Sequence, residues 1–490
     1  MRDNQISRRA LLRAIAGGTI VSGAALNCAR LPAWARPAGA GPARPLSAAS
    51  APLPRGVAAP LRQALSLPYP HLPAGRFVKS FAGEIEHVVV LMMENHSFDN
   101  LLGMVPHQLP GRAGVDGLTV SHGRVTNSNP ASLSAPAGPS VRASHAPSPC
   151  QVSGHPNQDW NASHLSWNGG ANNGFVQAST DIAMCYWDQQ DLPFTYSLVQ
   201  NFPFGERYFC SVLGQTYPNR RFLFCGTASG LTATTDIAFQ TKAANGTIFN
   251  LLLEHGISWK NYVEPTAGIL QASALIVPEF AESAECVQRI VDTDEFFSDA
   301  AQGTLPSFSF IDPDYDTTSE ENPQDIDLGE RFIAKITEAV MHSPAWAKTA
   351  LFITYDEHGG YYDHVPPPAA VVPDQIPPQQ SLANPAGSLQ GALNYGRYGF
   401  RVPLIVVSPW AKRNYSSKIV QDHTSITAFL EHKWNLPAMS ARDANAHPLD
   451  DYFQFEAPAF KVPPRLAAAP ALAPGLKACT AAGFSSIPGL

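Results

Sequence analysis

The stretch His87-Val88-Val89-Val90-Leu91-Met92-Met93-Glu94-Asn95-His96-Ser97-Phe98-Asp99-Asn100 decides how this chain folds. Its continuous apolar run fits a strand buried on both faces, the pattern of a parallel sheet, and not the alternation of a half-solvated one. The run breaks abruptly into polar residues, which puts Glu94 and Asn95 at the strand's carboxyl end. Three later runs read the same way: Phe308-Ser309-Phe310-Ile311 before Asp312, Leu351-Phe352-Ile353-Thr354-Tyr355 before Asp356-Glu357, and Leu404-Ile405-Val406-Val407 before Ser408-Pro409-Trp410. Helical patterns lie between and after them. The spacing predicts helices over 247–255, closed by Gly256, over 328–342, with Leu328, Phe332, Ile333, Ile336, Ala339 and Val340 on one face, and an amphipathic one over 424–434. This alternation predicts an α/β fold with a mainly parallel sheet flanked by helices. Ligands in such sheets bind beyond the carboxyl ends of the strands, so chemistry is expected in the polar residues that follow the buried runs.

The N-terminus is of another kind. Ser7-Arg8-Arg9-Ala10-Leu11-Leu12-Arg13, the apolar run Ala14 to Leu26 and Ala33-Trp34-Ala35 predict a twin-arginine export signal over 1–35, hence a secreted or periplasmic protein; an ordinary secretory signal is the alternative. Removing its five basic residues and one acidic residue leaves 28 Lys plus Arg against 39 Asp plus Glu, a net charge of −11. That balance speaks against a nucleic-acid partner, which selects a basic face. A Pro/Ala-rich leader is expected over 36–76, a catalytic domain over 77–460, a tail over 461–490, and surface loops over 121–150 and 363–398. Cys150, Cys185, Cys210, Cys225, Cys286 and Cys479 remain after the signal, room for up to three disulfides in an oxidising compartment. Nothing in the sequence fixes an oligomeric state.

Four clusters carry candidate chemistry. Glu94-Asn95 offers oxygen donors for a hard cation and an amide for a phosphoryl oxygen, or else a polar cap on the next helix. Thr216-Tyr217-Pro218-Asn219-Arg220 pairs a hydroxyl nucleophile with a guanidinium suited to phosphate, unless Thr216 is a helix cap. Asp356-Glu357-His358-Gly359-Gly360 runs on to Asp363-His364. Adjacent carboxylates on a straight strand face opposite ways, so both reach one ion only if the chain bends, and Gly359-Gly360 allows that. Asp422-His423-Thr424-Ser425 opens a helix, with His423 either an acid/base or a packing residue. Gly226-Thr227-Ala228-Ser229-Gly230 misplaces the serine of a nucleophile elbow by one position, and no H-E-x-x-H, P-loop or dinucleotide fingerprint occurs.

Taken in order, Glu94 to Asp99, Thr216 to Arg220, Asp356 to Val365, Gly399-Phe400-Arg401-Val402-Pro403 with Ser408-Pro409-Trp410, and His423-Thr424-Ser425 with Glu431 resemble the motifs of one bacterial phosphoesterase family. It contains the phosphatidylcholine-type phospholipases C, the plant non-specific phospholipases C and a respiratory-burst-inhibiting acid phosphatase. The resemblance implies an alkaline-phosphatase-like α/β fold and one divalent metal ion (Ca, Mn, Fe or Zn) held by Glu94, Asn95, Thr216, Asp356 and Glu357. It further implies a phosphothreonine intermediate on Thr216, phosphoryl oxygens oriented by Asn95 and Arg220, and His364 or His423 as acid/base. The expected substrate is a phospholipid or another phosphate ester, with transient contact to a membrane surface. Phosphatase-type relatives carry Ser where this chain has Thr216, which favours a phospholipase C over an acid phosphatase; a non-catalytic binding protein is the third reading. Two departures stand out. A histidine before Ser-Trp in relatives is replaced by Gln158-Asp159-Trp160, with His155 nearby, and a Glu-His-Pro-Pro reads Glu321-Asn322-Pro323-Gln324. His155 and Asn322 are therefore the candidate substrate-binding residues at these positions.

Overall fold

Eight strands form the central sheet among the described residues: β1 (His87–Met93), β2 (Phe204–Gly205), β3 (Trp259–Val263), β4 (Ile290–Asp292), β5 (Phe308–Asp312), β6 (Thr349–Tyr355), β7 (Leu404–Val407) and β8 (Ser416–Ser417). Their order is β4-β3-β5-β1-β6-β7-β2-β8. The computed structural model describes residues 61–150, 156–322, 324–379 and 394–471, all within the unit Pro60–Leu490. The export signal and His155 lie outside them.

β1 runs parallel to both neighbours, β5 and β6, and β3 runs parallel to β5 and β4. Val88 to Met93 are fully buried, as their unbroken apolar pattern requires. The sheet is thus α/β and mainly parallel, as expected. β7 departs from the expected direction: it pairs antiparallel with β6. A parallel partner would start at the opposite end of the strands and needs a crossover, whereas the stretch between Tyr355 and Leu404 shows no helix among its described residues and Leu404 pairs with Thr354, at the end where β6 stops.

Helices flank the sheet: α1 (Phe98–Leu102), α2 (Thr216–Cys225), α3 (Ile248–Glu254), α4 (Thr293–Gln302), α5 (Ile326–Met341) and α6 (His423–Trp434) among them. Thr247 and Asn250 close a capping box on α3, and the Asp325 carboxylate caps α5, which starts two residues before the apolar pattern does. α6 was expected to be amphipathic; instead nearly every residue from His423 to Trp434 is buried, because the chain from residue 61 covers its far end. There Asn435 donates to the carbonyls of Tyr69, Leu72 and Pro73 and accepts from the Tyr69 amide, while Leu65 N–H reaches the Ala438 carbonyl. The expected loop 121–150 holds short strand pairs, such as Ser128–Pro130 with Ser140–Arg142.

Of the cysteines that left room for up to three disulfides, Cys185, Cys210, Cys225 and Cys286 are free, while Cys150 is disulfide-bonded. Cys210, Cys225 and Cys286 sit in the apolar core, where a thiol packs as a small hydrophobe. Among the described residues no helix is long and apolar enough to cross a membrane.

Candidate active site

Because β5, β1 and β6 are neighbours running the same way, their carboxyl ends bring Asp312, Glu94-Asn95 and Asp356-Glu357 side by side. Arg220, on α2, fastens these ends together. Its Nε donates to Asp356 Oδ2 at 3.0 Å, Nη1 to Asp312 Oδ1 at 3.3 Å and the Tyr315 hydroxyl at 3.2 Å, and Nη2 to Glu94 Oε1 at 3.2 Å and the Met93 carbonyl at 3.5 Å. A guanidinium carries five N–H donors, and all five are engaged in a group with no exposed surface. The expectation that Arg220 orients phosphoryl oxygens is therefore corrected: it is a buried tie among three strand ends and has no free fork for phosphate.

The chain does bend after β6. Gly359 and Gly360 adopt φ of 65° and 78°, and a Cβ on Gly359 would lie 2.0 Å from the Asn95 carbonyl oxygen. The bend lets Gly359 N–H bond Glu357 Oε2 at 2.8 Å, while the amides of Glu357 and Asn95 reach Asp356 Oδ1 at 2.8 and 3.4 Å. Asn95 itself has a left-handed φ of 62°, a conformation asparagine tolerates better than most residues. Its Oδ1 and Nδ2 and the Glu357 Oε1 are buried without a hydrogen-bond partner among the described residues. Unpaired buried polar atoms are costly, so three in one place mark a site shaped for something else.

Thr216 is the first residue of α2, nine-tenths buried, and its N-cap Gln215 makes no side-chain cap bond. Asn219 clamps the approach: its Oδ1 accepts from Val212 N–H and its Nδ2 donates to the carbonyls of Gly214 and Gln215. Residues four apart share a helix face, so Thr216 stands one turn above Arg220 on the face turned toward the carboxylates. The helix N-terminus there adds partial positive charge that favours an anion.

Burial, reinforced by the nearby Glu321 charge, pushes the Glu94 carboxyl well above the usual range, with Arg220 pulling it back. Burial and then Asp356 do the same to Glu357, and burial raises Asp356 despite Arg220. One guanidinium is too little positive charge for this many buried carboxylates. With the unpaired Asn95 and Glu357 oxygens, this donor set fits a hard divalent cation, which takes carboxylate and carbonyl oxygens. Asp312 is not available to it, since Asn261, Ser273, Tyr315 and Arg220 occupy its oxygens.

Both expected histidines are engaged by other partners. His423 is fully buried, its Nε2 at 2.7 Å from the Asp356 carbonyl and its Nδ1 at 3.0 Å from the Tyr208 hydroxyl, and burial lowers its pKa to about 4. It supports the backbone of Asp356. His364 belongs to another cluster, with Nδ1 2.7 Å from Asp99 and Nε2 3.0 Å from Asp116. Asp99, Asp363 and His364 lie close enough to share an ion, but Arg401 already bridges the two carboxylates, at 3.0 and 2.8 Å. A third group with clustered donor atoms, His145, Asp188 and Asp191, lies nearer the surface. Asn322 is buried, accepting from the Tyr361 hydroxyl at 2.6 Å, with its Nδ2 unpaired among the described residues.

Three carboxylates escaped the sequence reading. Asp312 carried the same signal as Glu94 and Asp356, a carboxylate closing a buried strand. Glu321 bears on Glu94 and Glu357, and Asp159 bears on Glu357 while accepting from Gln215 Nε2 at 2.5 Å. Both stand in the two stretches where the chain departs from its relatives. Of the aromatic residues near the motifs, Trp160, Trp187 and Tyr361 are core residues.

The chain matches the phosphoesterase family over residues 85–437. It is 27% identical over 427 residues to phospholipase C B of Mycobacterium tuberculosis, covering 76% of this chain and 78% of that one. It is 29% identical over 404 residues to non-specific phospholipase C1 of Arabidopsis thaliana, covering 76% and 71%. Non-hemolytic phospholipase C of Burkholderia pseudomallei is 28% identical over 431 residues, with 79% of this chain and 59% of that longer protein covered. Among solved structures, an alkaline phosphatase superfamily protein from Vibrio parahaemolyticus aligns over 79% of this chain and 72% of its own, with a TM-score of 0.37 and 9% identity. With a family match spanning every strand end that builds the site, from Glu94 to Asp356-Glu357 and on to His423, the chain belongs to the phosphoesterase family.

Proposed function

We propose that this protein is an exported phospholipase C that uses the Thr216 hydroxyl as its nucleophile. The observation that carries the reading is the placement of that hydroxyl at the N-terminus of α2, one turn from the Arg220 that gathers Glu94 and Asp356. Relatives named phospholipase C from bacteria and a plant support the substrate class. A divalent cation held by Glu94, Asn95 Oδ1, Asp356 and Glu357 would supply Lewis acidity, lowering the hydroxyl's pKa and offsetting phosphoryl charge.

The chain's own residues do the rest. The Asn219 clamp fixes Thr216, and the α2 dipole favours the phosphate in front of it. Thr216 Oγ loses its proton to water and bonds to phosphorus as the bond from phosphorus to the glycerol oxygen breaks. The diacylglycerol oxygen leaves with a proton from water, because His364 and His423 are both committed elsewhere. Asn95 Nδ2, which has no partner among the described residues, donates to a phosphoryl oxygen. A second water then splits the phosphothreonine ester, freeing the phosphorylated head group and restoring the hydroxyl. Export through the twin-arginine signal belongs to the same proposal and rests on Ser7 to Arg13.

Turnover of phosphatidylcholine measured beside p-nitrophenyl phosphate tests this. Faster cleavage of the lipid is expected; faster cleavage of the monoester than of every lipid offered would make the protein a phosphatase.

A further inference from the structure

Beside residues bonded to the neighbours of Thr216 and to Tyr315, the surface carries exposed apolar side chains. The 3-10 helix Asp236–Gln240 buries Ala238 and turns Ile237 and Phe239 outward, each 47% exposed. A second tip is the tight turn in which Thr266 and Ile269 exchange backbone hydrogen bonds; it presents Ile269, 53% exposed. Single exposed apolar residues are ordinary on soluble proteins, so exposure alone means little. Placement and surroundings set these three apart.

Both tips are tied to the residues that build the site. On one side Thr234 N–H donates to Gln215 Oε1 at 2.8 Å and Tyr217 N–H donates to Thr234 Oγ1 at 3.2 Å, so the chain leading to Ile237 is bonded to both neighbours of Thr216. The Phe239 ring meets Tyr217 edge-on at 6.2 Å. On the other side Tyr315 N–H donates to Thr266 Oγ1 at 3.1 Å, and the Tyr315 ring lies 5.4 Å from the Arg220 guanidinium. Apart from Asp236, which opens the first tip's helix, the tips carry no charged residue: residues 222–235, 237–241 and 265–278 contain no Asp, Glu, Lys or Arg. In a protein of net negative charge, such neutrality suits a surface that is itself neutral.

We propose that Ile237, Phe239 and Ile269 form a docking surface for a zwitterionic phosphatidylcholine bilayer, the two tips entering the lipid interface on either side of the catalytic hydroxyl. The proposal rests on the phospholipase reading for its logic. The bond cleaved lies beside the glycerol, so the acyl chains stay in the membrane while the phosphate rises to Thr216, and the rim of the site must meet apolar matter there. Exposed apolar residues around a site entrance serve that contact.

The test uses full-length protein sedimented with phosphatidylcholine vesicles, in a Thr216→Val background so that the vesicles stay intact. Ile237→Ser, Phe239→Ser and Ile269→Ser combined should lower the vesicle partition coefficient by about tenfold or more, given the apolar area withdrawn. The corresponding triple exchange to Leu should keep it within about threefold on the same grounds, which separates apolar docking from a fold defect. With the native Thr216, the serine triple should lose vesicle turnover while hydrolysing a dissolved, short-chain monomeric phosphatidylcholine as the parent does. An unchanged partition coefficient, failure of the parent to bind vesicles, or an equal loss on monomeric lipid would each overturn the docking surface. A parent that binds vesicles through these residues but hydrolyses only p-nitrophenyl phosphate would uphold the surface and overturn the phospholipase reading.

Discussion

Replacing Arg220 by Met removes the one positive charge among Glu94, Asp312 and Asp356 while keeping most of the side-chain volume. Three charge-assisted hydrogen bonds of 3.0 to 3.3 Å are lost, each of the kind that contributes roughly 1.5–3 kcal/mol. Their sum overstates the effect, because the orphaned carboxyls escape part of the penalty by taking up protons. Breaking a buried ion pair from one side typically costs about 3–5 kcal/mol, and that is the expected loss for metal-free protein near pH 8. The pH dependence has a definite sign. Arg220 lowers the Glu94 and Asp356 pKa values against burial, so without it both rise further above their unfolded values. A carboxyl whose folded pKa is raised binds more protons in the native state, and its penalty grows as pH climbs from the unfolded pKa through the folded one. Urea unfolding in EDTA should therefore show a larger deficit for Arg220→Met at pH 8 than at pH 5. A deficit below about 1 kcal/mol, or one equal at both pH values, would refute the view that Arg220 is a charge-compensating tie.

Asp356→Asn should lose bound divalent metal in elemental analysis while staying folded, since an amide weakens an oxygen-donor site; full metal content and turnover would remove Asp356 from the ligands. Gly359→Ala forces a Cβ against the Asn95 carbonyl at a positive φ, and thermal unfolding should show a loss of at least about 2 kcal/mol. His364 between Asp99 and Asp116 has its pKa raised to about 10, so the stability it lends is complete below about 6.5 and fades toward pH 10. His364→Gln should thus destabilise more at pH 6 than at pH 10 in urea titrations, with turnover per folded molecule kept. Arg8→Lys with Arg9→Lys should leave the protein in the cytoplasm on cell fractionation; normal export would end the twin-arginine reading.

The parts of this molecule governed by local pattern were legible from residues alone. Val88 to Met93 read as a strand covered on both faces, and the same pattern located β5 and β6, so Glu94 and Asp356 were found as residues closing buried strands. The Gly359-Gly360 bend was legible because two adjacent carboxylates needed it. Partners set by tertiary packing were not. Arg220 beside a threonine looks like a phosphate fork in sequence, and only the adjacency of β5, β1 and β6 shows its donors spent on carboxylates. His423 and His364 are equally plausible acids by spacing, yet one hydrogen-bonds a carbonyl and a tyrosine and the other an aspartate pair. Glu321 and Asp159 stand outside the buried strands, and their bearing on Glu94 and Glu357 comes from tertiary packing that no local pattern encodes. The antiparallel β7 depended on the path of a loop, which carries no periodic signal.

The central claim is that Thr216 bonds to phosphorus, and the intermediate itself is the direct readout. The enzyme is mixed with phosphatidylcholine, quenched in acid within the first turnovers, digested and examined by mass spectrometry. A phosphocholine ester on Thr216, absent from Thr216→Val and accompanied by partial turnover in Thr216→Ser, is the predicted result. Turnover that persists in Thr216→Val, or an adduct on another residue, would contradict the account.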